Sequence, residues 1–170
     1  MLKSLIASLS LFTLTSPVLA TTYQDHVDLA VAVARTGINV KINPAECDNA
    51  PYYGWYSGFS RELVVCQEKR IKGVRSEVQW TAEDYDTLRH EAHHVVQDCK
   101  GDGLNNQLTN VYTNVFSLAK HNIGMNGIAG VIKNYEKQGH HIVLMEIEAF
   151  SVAAMNDPQE QVRDVQTYCM

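Results

Sequence analysis

Residues 81–103 read TAEDYDTLRHEAHHVVQDCKGDG, and this stretch decides the fold. Thr81 can cap the free backbone N–H groups of a helix start, and acidic residues in the first turn suit the helix dipole. Apolar residues recur at helical spacing from Tyr85 to Cys99, and Gly101 follows as a stop signal. The stretch therefore predicts a well-delimited amphipathic helix.

The predicted helix contains the pattern His-Glu-x-x-His at His90, Glu91 and His94. Residues four apart lie on one helical face, so the two imidazoles can point at one metal ion. Glu91 can then reach a water on that ion, an arrangement typical of zinc hydrolases with the glutamate as general base. His93 lies about 100° further round the helix, so we expect it to pack rather than to bind metal. The plain alternative is an ordinary helix with solvent-facing histidines.

A catalytic zinc ion usually has three protein ligands and one open position, so a third ligand is needed. The metzincin pattern requires a glycine and then a histidine soon after the motif, but the next histidine is His121. A carboxylate on a predicted downstream helix can serve instead, and Glu146 and Glu148 are the candidates. They are two residues apart and face different sides of that helix, and the spacing leaves both open.

The segments HEAHHVVQ at 90–97 and EIEAFSVA at 146–153 together resemble the gluzincin zinc metallopeptidases, in particular their small members. The resemblance covers roughly residues 81–155. It implies a peptidase with one Zn²⁺ per chain and a zincin-like fold. The residues that it assigns are His90, His94 and Glu146 as metal ligands and Glu91 as the general base.

The resemblance also implies a role for the neighbours of Glu146. Ala149 is the small residue of the second motif, and Glu148 would not contact the metal. Many gluzincins have an aspartate directly after this alanine, where it supports a metal-binding histidine. This chain has Phe150 there, so that support is absent or comes from elsewhere.

Peptidases of this type need a donor for the negatively charged oxygen that forms during attack. Tyr135, His140 and His141 precede the Glu146 helix and are candidates, with a solvated loop as the alternative for each. The resemblance further implies an edge strand before the zinc helix that binds extended substrate, and residues 74–80 occupy that place. The aromatic run at 52–56 predicts either a substrate-contacting wall or a loop that packs on itself.

The order of elements predicts an α+β domain without a linker. On the resemblance, a small antiparallel-type sheet of about three strands packs on the zinc-binding helix, with further C-terminal helices. The other predicted helices cover 24–35, 111–121, 128–137, 141–154 and the stretch after Pro158. The predicted strands cover 38–42, 62–66 and 74–80. Residues 44–60 are predicted to form a loop or an irregular hairpin.

Residues 1–20 have a basic start, an apolar run and small residues near the end, which predicts a secretory signal peptide. We therefore expect residues 21–170 to form a single secreted or periplasmic domain without a stable membrane anchor. Its cysteines would meet an oxidising compartment, and none lies in a C-x-x-C pair. Of three possible connectivities we expect Cys47–Cys66 and Cys99–Cys169.

The composition is that of an average soluble domain, since 45% of the 170 residues are hydrophobic and 19% are charged. The net charge of −5 argues against nucleic-acid binding, because phosphate recognition needs a basic surface. The sequence thus predicts a zinc metallopeptidase acting on a peptide or protein. The alternatives are a non-catalytic zincin-like binding protein and a zinc hydrolase of a non-peptide bond, and the intact Glu91 favours catalysis.

Overall fold

The structure is a computed structural model that describes residues 23–170, and the predicted signal peptide at residues 1–20 lies outside them. The predicted α+β class is confirmed. In chain order the elements are α1 (Tyr23–Arg35), β1 (Asn39–Ile42), a short 3-10 helix (Ala45–Asp48), β2 (Gly54–Ser57), β3 (Glu62–Val65), α2 (Ala82–Lys100), α3 (Val115–Asn122), α4 (Gly124–Tyr135), a second 3-10 helix (Glu136–Gln138), α5 (His140–Ala154) and α6 (Pro158–Cys169).

Helix α2 begins where the sequence predicts and runs through the centre of the domain. The Thr81 side chain accepts a hydrogen bond from the Asp84 backbone N–H, and the Asp84 side chain accepts one from the Thr81 N–H. This reciprocal cap satisfies two of the backbone donors that a helix start leaves open. The helix then packs against α1, α5, α6 and the sheet, which buries every residue from Thr87 to Asp98.

The sheet has the order β1-β3-β2, with β1 parallel and β2 antiparallel to β3. The expectation of an antiparallel-type sheet is therefore wrong, and the sheet is mixed. Strand β2 forms a hairpin with β3, whereas β1 reaches β3 only after the chain has passed through the first 3-10 helix and β2. Strand β2 lies at one edge of the sheet and also contacts α2.

The strand predicted at residues 74–80 is wrong, because no strand forms there. Its backbone groups bind side chains instead of a neighbouring strand. The Gln67 side-chain amide accepts from the Val78 N–H at 2.8 Å and donates to the Val78 carbonyl at 2.9 Å. Asn43 Nδ2 donates to the Ser76 carbonyl at 3.1 Å. The segment is thus an ordered connection into α2, and β2 is the third strand.

Both predicted disulfides are present. Cys47–Cys66 joins the first 3-10 helix to the end of β3, and Cys99–Cys169 joins the last turn of α2 to the end of α6. Disulfides persist in oxidising compartments, so this pairing is compatible with a location outside the cytoplasm. In residues 23–170, no helix has the length and apolar character needed to cross a membrane.

Apolar side chains form two main clusters on either side of α5. One lies between α1, α2, α6 and the sheet, and the other lies between α3, α4 and α5. Helix α5 contacts α2 on one side and the α3–α4 pair on the other. This arrangement sets polar residues of α5 directly against the histidines of α2.

Candidate metal centre

Three side chains from α2 and α5 converge on one point. The Nε2 atoms of His90 and His94 are 3.1 Å apart. Glu146 reaches both, with Oε2 at 3.3 Å from His90 Nε2 and Oε1 at 3.6 Å from His94 Nε2. The two histidines meet because they are one helical turn apart, and Glu146 meets them because α5 packs directly on that turn.

The spacing of these atoms fits a tetrahedral cation. Two ligand atoms bonded to zinc at about 2.05 Å would be about 3.3 Å apart. Glu146 Oε2 is buried and has no hydrogen-bond partner among residues 23–170, which is unfavourable unless a cation is nearby. Ligand atoms of His90, Glu91 and His94 also lie within 4.8 Å of one another. These side chains form a group that could hold a metal ion.

Glu91 faces the same region from the β2 side. The backbone N–H of Tyr56 in β2 acts to lower the pKa of its carboxylate. Burial raises the pKa of Glu91 although His90 and His94 oppose the rise. Gly54 allows β2 to come this close, because a Cβ there would lie 2.5 Å from Thr87 Cγ2 and 2.7 Å from the Val64 carbonyl.

Charges in the metal-free site are strongly coupled. Burial disfavours the charged forms of both His94 and Glu146. At His94 the attraction of Glu146 is stronger than this effect of burial, and the pKa of the imidazole is raised to about 9. In the same way, burial would raise the pKa of Glu146, and His90 and His94 instead hold it far below its usual range. A metal ion that binds at Nε2 of His94 would therefore compete with a proton held there.

Glu148 has a different environment on the opposite side of α5. It is fully buried and lies 3.2 Å from His93 Nε2. Burial lowers the pKa of His93, so its neutral ring donates Nε2–H to this carboxylate. Gln97 Nε2 donates to Glu148 at 2.7 Å, and the N–H groups of Val111 and Tyr112 donate at 3.0 and 2.6 Å. Glu148 and His93 thus hold helices and a loop together and point away from the metal group.

Of the three candidate oxyanion donors, the structure brings only Tyr135 to the cleft with His90 and Glu91. Burial raises the pKa of Tyr135, and the nearby Glu146 raises it further, so the hydroxyl keeps its proton. His140 and His141 are exposed and line two other depressions beside Lys100. They precede Glu146 by six and five residues, which places them about 120–140° away around α5.

A protein-family model, described as "Domain of unknown function (DUF8637)", matches residues 18–170. The chain belongs to the DUF8637 family. No curated protein and no solved structure matches the chain. The matched range of the DUF8637 domain includes both α2 and α5, and with them all the residues of the candidate metal centre.

The cleft of this DUF8637 domain has a volume of about 500 Å³ and two walls. One wall comes from the aromatic run, where Trp55 lines the cleft and Tyr52 stands beside it in an edge-to-face contact. Tyr56 also lines the cleft and donates its hydroxyl to Asp98 at 2.6 Å. The other wall contains Asn106, whose backbone N–H donates to the same Asp98 carboxylate at 2.9 Å. The run at 52–56 thus contributes both to the cleft and to internal packing.

One residue near the metal group, Gln97, was missed by sequence reasoning. Gln97 Oε1 lies 2.8 Å from His94 Nδ1, and its position three residues after a ligand, on the same helical face, was the signal available. Phe150 packs its ring against His90, with ring centroids 4.3 Å apart. His90 Nδ1 has no hydrogen-bond partner in the described part of the chain. The aspartate that many gluzincins place at this position is therefore not replaced by another acceptor for His90.

Proposed function

We propose that this DUF8637 domain is a secreted or periplasmic zinc-dependent peptidase of gluzincin type. The observation that carries the proposal is the convergence of His90, His94 and Glu146 beside the buried carboxylate of Glu91. The two disulfides support the location, because disulfides are retained outside the cytoplasm.

His90, His94 and Glu146 would hold the zinc ion. Zinc supplies Lewis-acid chemistry, which makes a water molecule acidic enough to lose a proton near neutral pH. Glu91 would accept that proton and pass it to the leaving amine, because its buried carboxylate lies beside the metal group. Tyr135 keeps its hydroxyl proton and donates a hydrogen bond to the oxygen of the attacked carbonyl.

The position of β2 supports an extended peptide as the substrate. It is an edge strand, and Gly54 and Trp55 line the cleft beside Glu91 and His90. A peptide can pair with such an edge through backbone hydrogen bonds, which give affinity with little dependence on side chains. Strand β2 would thus take the role that the resemblance assigned to residues 74–80.

Metal analysis and a peptide-library digest with and without chelator test this function. We expect about one zinc per chain and cleavage that the chelator abolishes. Glu91→Gln keeps the shape of the side chain but removes the base, so it should retain zinc and lose activity by about 10²- to 10⁴-fold. Glu68→Gln, which changes an exposed carboxylate outside the cleft, is the matched control.

Each other outcome contradicts a part of the proposal. A chain that copurifies without zinc and does not respond to added zinc has no metal centre. A Glu91→Gln variant that cleaves as fast as the wild type shows that Glu91 is not the base. Zinc binding without cleavage of any peptide would favour a non-catalytic binding protein, and cleavage of ester or amide probes alone would favour a hydrolase of non-peptide bonds.

A further inference from the structure

The second nitrogen of His94 has a defined partner. Its Nδ1 lies 2.8 Å from the Gln97 side-chain oxygen. The orientation of this amide is fixed, because its nitrogen faces two acceptors, the Met145 carbonyl at 3.0 Å and Glu148 Oε2 at 2.7 Å. An amide oxygen only accepts, so Nδ1 carries a hydrogen and Nε2 is directed at the metal position.

Glu148 is itself fixed by groups outside this chain of contacts. The Val111 and Tyr112 N–H groups donate to its two oxygens. Gln97 and Glu148 are both fully buried, so solvent does not compete for these hydrogen bonds. The hydrogen bonds therefore form a series. The loop before α3 holds Glu148 on α5, Glu148 holds Gln97, and Gln97 holds His94 in the metal group.

His90 shows what a ligand without such support looks like. Its Nδ1 is buried and has no hydrogen-bond partner within residues 23–170, and its ring contacts Phe150. No hydrogen bond from a described residue fixes the Nδ1 side of this imidazole. The hydrogen-bonded orientation at His94 is thus a specific feature of one ligand.

We propose that Gln97 is the positioning residue for His94 and that Glu148 holds Gln97 in its working orientation. The inference rests on the proposed metal centre. A hydrogen bond to the distal nitrogen fixes the tautomer and the ring angle of a metal-binding histidine, and its removal typically lowers metal affinity 10- to 100-fold. Gln97 does not contact the metal position itself, so it acts only through His94.

Zinc affinity, measured by competition with a chromophoric chelator on the full chain, tests the proposal. Gln97→Leu removes the amide at similar size and should lower zinc affinity about 10- to 100-fold. Gln161→Leu is the matched control, because Gln161 is also buried and donates to the α2 backbone at the Arg89 carbonyl at 2.7 Å. We expect both variants to melt at lower temperature without metal, and only the Gln97 variant to lose zinc affinity.

A second variant and a second measurement complete the test. Gln97→Met, whose flexible side chain fills the same space, replaces Gln97→Leu if the latter does not fold. Nitrogen-15 NMR of the zinc-loaded wild type should show the hydrogen of His94 on Nδ1. A hydrogen on Nε2, or equal zinc affinity of wild type and Gln97 variants, overturns the inference and leaves the proposed function standing. A wild-type chain that binds no zinc overturns the proposed function first.

Discussion

Glu146 and Glu148 are the same residue type two positions apart on α5, yet they have opposite surroundings. Glu146 faces two imidazoles and has a buried oxygen without a hydrogen-bond partner. Glu148 receives hydrogen bonds from two backbone N–H groups and from Gln97, and it pairs with His93. Two helical positions differ by about 200°, so each carboxylate meets a different part of the protein. Among the described residues, Glu146 thus keeps an acceptor that a metal ion could use, whereas both oxygens of Glu148 accept hydrogen bonds.

The largest effect is expected at the first carboxylate. Glu146→Ala removes a ligand, so zinc affinity should fall by more than the roughly 100-fold that follows loss of an outer partner. Competition with a chelator measures the affinity, and a larger loss for Glu148→Ala would exchange the two assignments.

The second effect concerns stability. Glu148→Ala leaves several buried donors without an acceptor, and removing one member of a buried charged network typically lowers the free energy of unfolding by about 3–5 kcal/mol. Urea unfolding of the metal-free chain measures this change. A decrease below about 1 kcal/mol would contradict the structural role, because that is the effect of a single exposed contact.

The smallest effect is expected on the pH dependence of stability, at Asp164 on α6, which is close enough to Glu148 to feel its charge. Burial raises the pKa of Asp164 to about 6, and the nearby Glu160 adds to the rise. Its ionisation therefore destabilises the folded chain as the pH rises from about 4, the unfolded value, through about 6. Asp164→Asn should be more stable than the wild type at pH 8 by about 1 kcal/mol, after a discount for partial exposure, and should show no gain at pH 3.5. If the stabilities of the variant and the wild type depend on pH in the same way, the raised pKa of Asp164 is contradicted.

The sequence predicts the helices well and the sheet poorly, for physical reasons. Local signals, such as the Thr81 cap, define where a helix begins. Strand pairing depends on distant partners, so the parallel contact of β1 with β3 has no local signal. Residues 74–80 have the composition of a strand, but side-chain amides of Gln67 and Asn43 bind their backbone. Strand β2 was not predicted, because it lies within residues 44–60, a glycine- and aromatic-rich stretch that is typical of a loop.

The site follows the same division. The relation between His90 and His94 is set within one helix, so spacing alone predicts that they meet. The meeting of Glu146 with them depends on how α5 packs on α2, and sequence could supply it only through a resemblance. Gln97 looks like an ordinary polar helix residue until its contacts with α5 are known. The sequence could not decide between Tyr135 and His141 as the oxyanion donor, because that choice depends on how the start of α5 is oriented relative to the cleft.

The contacts of Asp98 have a consequence for how the cleft operates. This residue of α2 binds the Tyr56 hydroxyl from one wall and the Asn106 N–H from the other, so one helix holds both walls and both histidines of the candidate metal centre. The loop that contains Asn106 is thus already ordered before a ligand arrives. If the cleft is the proposed peptidase site, substrate binding would not include the entropy loss of closing a flexible flap, and exchange of substrate and product would not wait for such a flap to open.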